Sequence, residues 1–204
     1  MNKEEVIDVI KNKLHFSDQS IIKINEFVKK LLLFNKKYNL ISKNTEKDIW
    51  SRHILDSAQL INFIDTKKGG IVSDLGSGAG LPGLIIAIFN ENNLFHVKLY
   101  EKSPIKRDFL TKVIKDLKIN AEVLNNVYEK EIISNYIVCR AFKKIDKIIE
   151  ISREIIKKPH KVIILKGKNA QKEINAVSLT ENYSYRLENS ITNNDSKIIV
   201  INAK

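Results

Sequence analysis

The chain has almost no cysteine, no long apolar run and little arginine, and each scarcity removes a class of function. Its single cysteine, Cys139, cannot form an internal disulfide, so the fold must rest on its core, and a reducing compartment is expected. With 204 residues the chain can bury such a core, as one domain of ordinary size with a small appendage. His15, His53, His96 and His160 lie far apart without cysteine companions, so no zinc-ligand spacing is present and no metal is expected. The longest apolar run, Leu84 to Phe89, is far too short to span a bilayer. Residues 1–13 are charged throughout and contain no signal-peptide core, which predicts a soluble, cytoplasmic protein without a membrane partner.

The net charge of +11 makes nucleic acid a candidate partner, because a basic surface concentrates polyanions and speeds their capture. Only Arg52, Arg107, Arg140, Arg153 and Arg186 of the 35 basic residues are arginine. An AT-rich genome writes lysine onto any surface, so charge alone does not decide the partner. The same bias singles out the arginines, since lysine was the easier codon.

The pattern changes near residue 69. Residues 1–68 read as a helical cap: 3–13 at helical spacing, a second run after Ser17 with Ile24, Phe27, Val28 and Leu31 on one face, and a third helix beginning after Thr45. Thr45-Glu46-Lys47-Asp48 resembles a capping box for that third helix. Residues 69–204 alternate short β-rich runs with helices, which predicts a doubly wound, mostly parallel sheet in one compact unit. The last two runs, 183–191 and 197–202, are joined by Asn193-Asn194-Asp195 and predict an antiparallel hairpin at the sheet's edge.

The central motif is Asp74-Leu75-Gly76-Ser77-Gly78-Ala79-Gly80-Leu81-Pro82-Gly83, which leaves a strand and opens a helix. Ligands of doubly wound sheets bind beside such a turn. Gly78-x-Gly80-x-x-Gly83 fits a dinucleotide fingerprint. The same residues also fit Asp-x-Gly-x-Gly-x-Gly, the cofactor loop of class I methyltransferases. Pro82 counts against a pyrophosphate, because it lacks an N–H. Glu101 ends the next strand, where an acid takes the ribose hydroxyls of an adenosine, and this suits NAD and S-adenosylmethionine alike.

Arg52-His53-Ile54-Leu55-Asp56-Ser57, the glycine loop with its Gly-Leu-Pro-Gly end, Lys106-Arg107-Asp108-Phe109-Leu110, Cys139-Arg140-Ala141-Phe142 and Leu165-Lys166-Gly167 together resemble the bacterial small-subunit ribosomal RNA guanine-N7 methyltransferases, also called the glucose-inhibited division protein B family. The resemblance begins at Tyr38-Asn39-Leu40 and covers nearly the whole chain. It implies a class I methyltransferase (Rossmann-like) fold and S-adenosylmethionine as cofactor. It implies cofactor contacts from Gly76 and Leu81, from the backbone at Val127 and Tyr128, and from Arg140, beside the candidates Ser77 and Gly78 of the glycine loop and Glu101 at the strand end. Arg140 and Lys166 are the implied catalytic positions, and Arg52, Lys106, Arg107 and Lys166 the candidate RNA contacts. His53 falls on the apolar stripe and reads as a hydrogen-bonded core histidine, and Asp56 as a helix-surface partner of Arg52. The chain departs from the family at Asn126 and near Ser196, where many members carry arginine.

Guanine N7 offers a lone pair and has no proton to lose, so its methylation needs alignment rather than a general base. That agrees with the lack of a Ser–His–Asp or paired-carboxylate pattern. No RRM-like or KH-like module is present, so the RNA surface must be the enzyme's own basic face and cap. A structured partner, small-subunit ribosomal RNA or the small ribosomal subunit, and a monomeric enzyme are expected. The rival readings are a methyltransferase of a small molecule or protein, an NAD-binding oxidoreductase, and a non-catalytic module that has kept the fold.

Overall fold

The computed structural model describes residues 1–90, 95–126, 131–177 and 179–204. Val127 and Tyr128 lie outside the described residues.

Seven strands form one sheet in the order β3-β2-β1-β4-β5-β7-β6. They are β1 (Gly70–Leu75), β2 (Phe95–Tyr100), β3 (Ala121–Leu124), β4 (Tyr136–Arg140), β5 (His160–Lys166), β6 (Tyr183–Asn189) and β7 (Lys197–Ala203). The pairs from β3 through β5 are parallel, while β7 runs antiparallel to both β5 and β6. The predicted hairpin thus exists, with β7 inserted beside β5 and β6 left as the edge.

Period-2 alternation decides which face each central side chain joins. Val138, Ile163, Leu165, Ile198 and Val200 belong to one core cluster. Ile137, Cys139, Val162, Ile164, Ile199 and Ile201 belong to the other. The second face is covered by α7 (Ile145–Ile155) and α8 (Ala170–Asn175), through Ile148, Ile149, Ile155 and Ile174. The first is covered by α5 (Gly83–Phe89), α6 (Pro104–Leu117) and the cap. Because α5 lies between sheet and cap, Gly83 through Ile88 are all buried, and this explains the chain's longest apolar run.

The cap begins with α1 (Lys3–Asn12), closed by a reciprocal Asn2–Glu5 capping box. Ser17 caps α2 (Asp18–Tyr38), whose Ile24, Phe27 and Leu31 are fully buried. Each contributes roughly 1.5–3 kcal/mol by leaving water. These side chains share one core cluster with Leu84, Ile85 and Val97.

The third cap helix differs from expectation. Thr45 is not its N-cap: α3 is the short segment Lys43–Glu46, with Ser42 before it. A π-helical turn, Trp50–Leu55, follows, then α4 (Asp56–Ala58) and a 3-10 turn, Gln59–Phe63. The Thr45 hydroxyl is drawn to the Ser42 carbonyl and to His53, so it has no part in a capping box. Wide turns of this kind recur at functional sites, and this one carries Arg52 and His53.

Candidate active site

The strand order reverses between β1 and β4, and a crevice opens at such a switch point beyond the carboxyl ends of the strands. The glycine loop leaves β1 on one side of it, and Arg140 ends β4 on the other.

The loop is tightly wound. Gly76, Gly78 and Gly80 have φ of 73°, 57° and 89°. A Cβ on Gly76 would meet the Phe142 ring at 2.5 Å, so the residue two places after Arg140 packs directly on the loop. A Cβ on Gly78 would meet only the Gly76 carbonyl, at an ordinary 3.8 Å, so no side chain packs on the loop at that point. The amides of Gly76 and Ser77 donate to the Tyr100 carbonyl, those of Gly80 and Leu81 to the Ser77 carbonyl, and that of Gly83 to Asp74 Oδ2. The Gly78 amide donates to Glu101 Oε2 at 2.8 Å. A pyrophosphate is held by free N–H groups at such a turn. Here the amides of Gly76, Ser77, Gly78, Gly80, Leu81 and Gly83 are committed, and the loop offers mainly carbonyl oxygens, which suits the ammonium of an amino-acid moiety.

Ser77 is buried and closes the turn through its hydroxyl on the Asp74 carbonyl, so its side chain serves the loop itself. Leu81 is buried at the start of the following turn. The Glu101 carboxylate accepts from Gly78 and Ser103 amides and keeps lone pairs for further donors such as ribose hydroxyls. Asp74 is fully buried, and burial raises its pKa to about 7.

Arg140 is held by the cap. Its Nη1 donates to the Arg52 carbonyl at 2.9 Å and its Nη2 to His53 Nδ1 at 2.7 Å. A guanidinium can only donate, so Nδ1 must accept and the imidazole proton sits on Nε2. Nε2 then donates to Thr45 Oγ1 at 2.9 Å, and the Thr45 hydroxyl donates to the Ser42 carbonyl at 2.9 Å. Burial, with the charges of Arg140 and Arg52, pushes the His53 pKa down to about 3, so the ring is neutral and this direction is fixed. Burial also lowers the Arg140 pKa, against the opposing pull of Asp56 and Asp74, but a guanidinium stays charged throughout.

A recess of about 360 Å³ surrounds this arginine. Thr45, Arg52, His53 and Asp56 line it from the cap, Arg140, Ala141, Lys166 and Gly167 from the strand ends, and Ser196 from the hairpin. Ala141 follows the arginine with a positive φ of 52°, a conformation that a non-glycine residue keeps only when its surroundings enforce it. Lys166 does not reach into water: its Nζ pairs with Glu173 at 2.8 Å and donates to the Lys143 carbonyl. Arg52 is exposed at the rim. Asp56 is not its ion-pair partner, because the carboxylate turns to Ser190, Thr192 and Gln59.

Lys106 and Arg107 lie elsewhere, in the first turn of α6. Arg107 Nη1 donates to the carbonyls of Glu101 and Lys102 and to Asn125 Oδ1, and so ties the end of β2 to the end of β3. The links His53–Arg140, Phe142–Gly76 and Asp56–Thr192 carry no signal in sequence spacing, since their partners lie far apart along the chain. Among the described residues no group of three or more His, Cys, Asp or Glu could hold a metal. Likewise, no described helix is long and apolar enough to cross a membrane.

A family model described as rRNA small subunit methyltransferase G matches residues 20–198. The chain belongs to that family. It is 39% identical to the ribosomal RNA small subunit methyltransferase G of Pelagibacter ubique, over 90% of this chain and 88% of that one. It is 37% identical to the protein of the same name from Rickettsia akari, covering 92% and 96%. Among solved structures, a SAM dependent methyltransferase from Aquifex aeolicus superposes with a TM-score of 0.56 at 14% identity, over 78% of this chain and 94% of that one. TYW2 of M. jannaschii, solved in complex with AdoMet, superposes at 0.51 and 14% identity, over 73% and 74%. Likenesses at such low identity concern the fold alone. As a family member, this enzyme is an S-adenosylmethionine-dependent methyltransferase. The loop fits that cofactor and disfavours the pyrophosphate of NAD.

Proposed function

We propose that the enzyme methylates N7 of a guanosine in small-subunit ribosomal RNA, acting as a cytoplasmic monomer. One observation carries the reading. The recess around Arg140 opens at the same strand ends as the glycine loop and is walled by charged cap and strand-end residues. When bound, S-adenosylmethionine supplies a methyl group activated on a sulfonium. Gly76, Ser77, Gly78, Leu81 and Glu101 shape and polarise its seat, and Val127 and Tyr128 follow β3 in sequence, where an adenine would lie.

No side chain has to remove a proton. Both His53 nitrogens are committed and Lys166 is ion-paired, so neither is free as a base. N7 suits such a site, because it has a lone pair and no hydrogen. Catalysis then comes from alignment, worth roughly 7–11 kcal/mol when reactants are well held. Arg140 uses two of its guanidinium N–H groups on the cap and keeps the others for the base or a neighbouring phosphate. Contact with both O6 and N7 would block the nucleophile, so Arg140 engages at most O6 or phosphate in the reactive pose. Arg52 and Lys166 flank this point, with exposed Lys143, Lys144 and Lys168 beside them as phosphate contacts. Lys106, in the first turn of α6, would extend that contact, while Arg107 is spent on the carbonyls of Glu101 and Lys102 and on Asn125.

The test is transfer of labelled methyl from S-adenosylmethionine to undermethylated small subunits, beside deproteinised ribosomal RNA and transfer RNA. Label should enter one guanosine and be released as 7-methylguanosine. Label confined to protein or small molecules would refute the reading.

A further inference from the structure

Asp56 has an arrangement that cap anchoring alone does not require. Every hydrogen bond to its side chain from the described residues lands on Oδ1: Gln59 Nε2 at 3.1 Å, Ser190 Oγ at 3.2 Å, and Thr192 Oγ1. Oδ2 receives none of them. The residue lines the recess that holds Arg140, and it is half-buried there. Its position is fixed from two directions, by its own short helix and by the segment after β6. The result is an immobile carboxylate with one saturated oxygen and one free oxygen, next to the arginine of the site.

We propose that Asp56 selects guanine, its Oδ2 accepting from the N–H donors of the base's Watson–Crick edge. This rests on the N7 reading above. An ionised carboxylate only accepts, so it needs an edge that donates. Guanine places N1–H and the 2-amino group side by side on that edge. Adenine places a single donor there, its 6-amino group, beside the N1 acceptor, which a carboxylate repels, so it cannot offer two adjacent donors. Enzymes that modify a base commonly read it by this edge once it leaves the stack. The geometry of the ring supports the same choice. N7 lies across the purine from the Watson–Crick edge, so a base held by Asp56 on the cap side turns N7 away from the cap, toward the crevice beside the glycine loop. A site built around a hydrogen bond also rejects analogues that leave its polar group unpaired.

The experiment uses the whole enzyme and small subunits reconstituted with either guanosine or inosine at the mapped methylation position. Inosine keeps N7 and O6 and lacks only the 2-amino group. Wild-type kcat/KM should fall about tenfold to a hundredfold on inosine, the effect of one hydrogen bond to a charged group. Asp56→Asn should lose a similar factor on guanosine, with inosine costing it little more. Thr192→Val removes one of the three donors that orient the carboxylate and keeps Asp56 itself, so its preference for guanosine should fall between those of the wild type and Asp56→Asn. Equal use of guanosine and inosine by the wild type would overturn the assignment even if no variant folded. So would an Asp56→Asn enzyme that still discriminates like the wild type. Failure of the wild type to methylate the guanosine subunit overturns the N7 reading itself, and this proposal with it.

Discussion

The two walls of the crevice are built by different means. The β1 side is a backbone structure, where glycines, amides and carbonyls satisfy one another over a stretch of ten residues and Glu101 closes the turn. The β4 side is a side-chain structure, where Arg140 is oriented by His53 and Arg52 from the cap, and Asp56 by Ser190 and Thr192 from the hairpin segment. A common cofactor needs a wall that local sequence can build. A particular substrate needs groups converging from several segments, and the cap and hairpin supply them.

The sharpest way to break this contrast is Arg140→Ala. Removing the cation should lower the single-turnover methyl-transfer rate, at saturating cofactor and RNA, by about a hundredfold to a thousandfold, with cofactor affinity less affected. An unchanged rate would remove Arg140 from the reaction. Next is the pair Gly76→Ala and Gly78→Ala. The first forces a Cβ to 2.5 Å from Phe142 at φ 73°. It should cost about 2–4 kcal/mol in denaturant unfolding, from combined backbone strain and overpacking. The second meets only the Gly76 carbonyl, at an ordinary 3.8 Å, so it should carry the strain of φ 57° alone, about 1–2 kcal/mol, while calorimetric cofactor affinity drops. Equal stability loss in both would erase the distinction between a packing glycine and a ligand-facing one.

The two walls also titrate in opposite senses. The folded pKa of Asp74 is raised to about 7, so below the unfolded carboxylate value its contribution to stability is fully present, and it is lost as pH rises toward 7. The folded pKa of His53 is lowered to about 3, so its contribution is present above the unfolded imidazole value and is lost as pH falls toward 3. Between about pH 4 and 6.5 the two slopes oppose each other. Asp74→Asn should therefore leave a stability that rises with pH across that window, and His53→Asn one that falls, each by up to a few kcal/mol on the order set by the linkage. Urea midpoints against pH would check this, and parallel profiles for the two variants would contradict it. The smallest effect separates RNA contacts from structural cations. Arg52→Ala should reduce the slope of log affinity against log salt by about 1. Arg107→Ala should instead lower the melting temperature with little change in slope, because its guanidinium is spent on carbonyls and Asn125.

How much was legible follows the same division. The parallel sheet, the hairpin and the α2 stripe could be read directly, because periodicity and punctuation are local signals. So could the glycine loop, whose function resides in backbone angles that only glycine supplies cheaply. The third cap helix was misread, since Thr45 looks like an N-cap until His53 claims its hydroxyl. Asp56 looked like a partner for Arg52 four residues earlier, but the hairpin segment outcompetes that exposed cation by offering two hydroxyls. His53 was legible as a bonded core histidine, but the identity of its partner was not.

The sequence by itself determined the class of fold, the cofactor loop and the family, because those depend on short-range patterns of glycine, apolar spacing and motif. Only the tertiary structure decided which cations face the recess and which act as staples, how the cap grips Arg140, and which oxygen of Asp56 is left free. Those outcomes depend on competition among partners distant along the chain, and a hydrogen-bond donor chooses its acceptor only once packing has brought the rivals within reach.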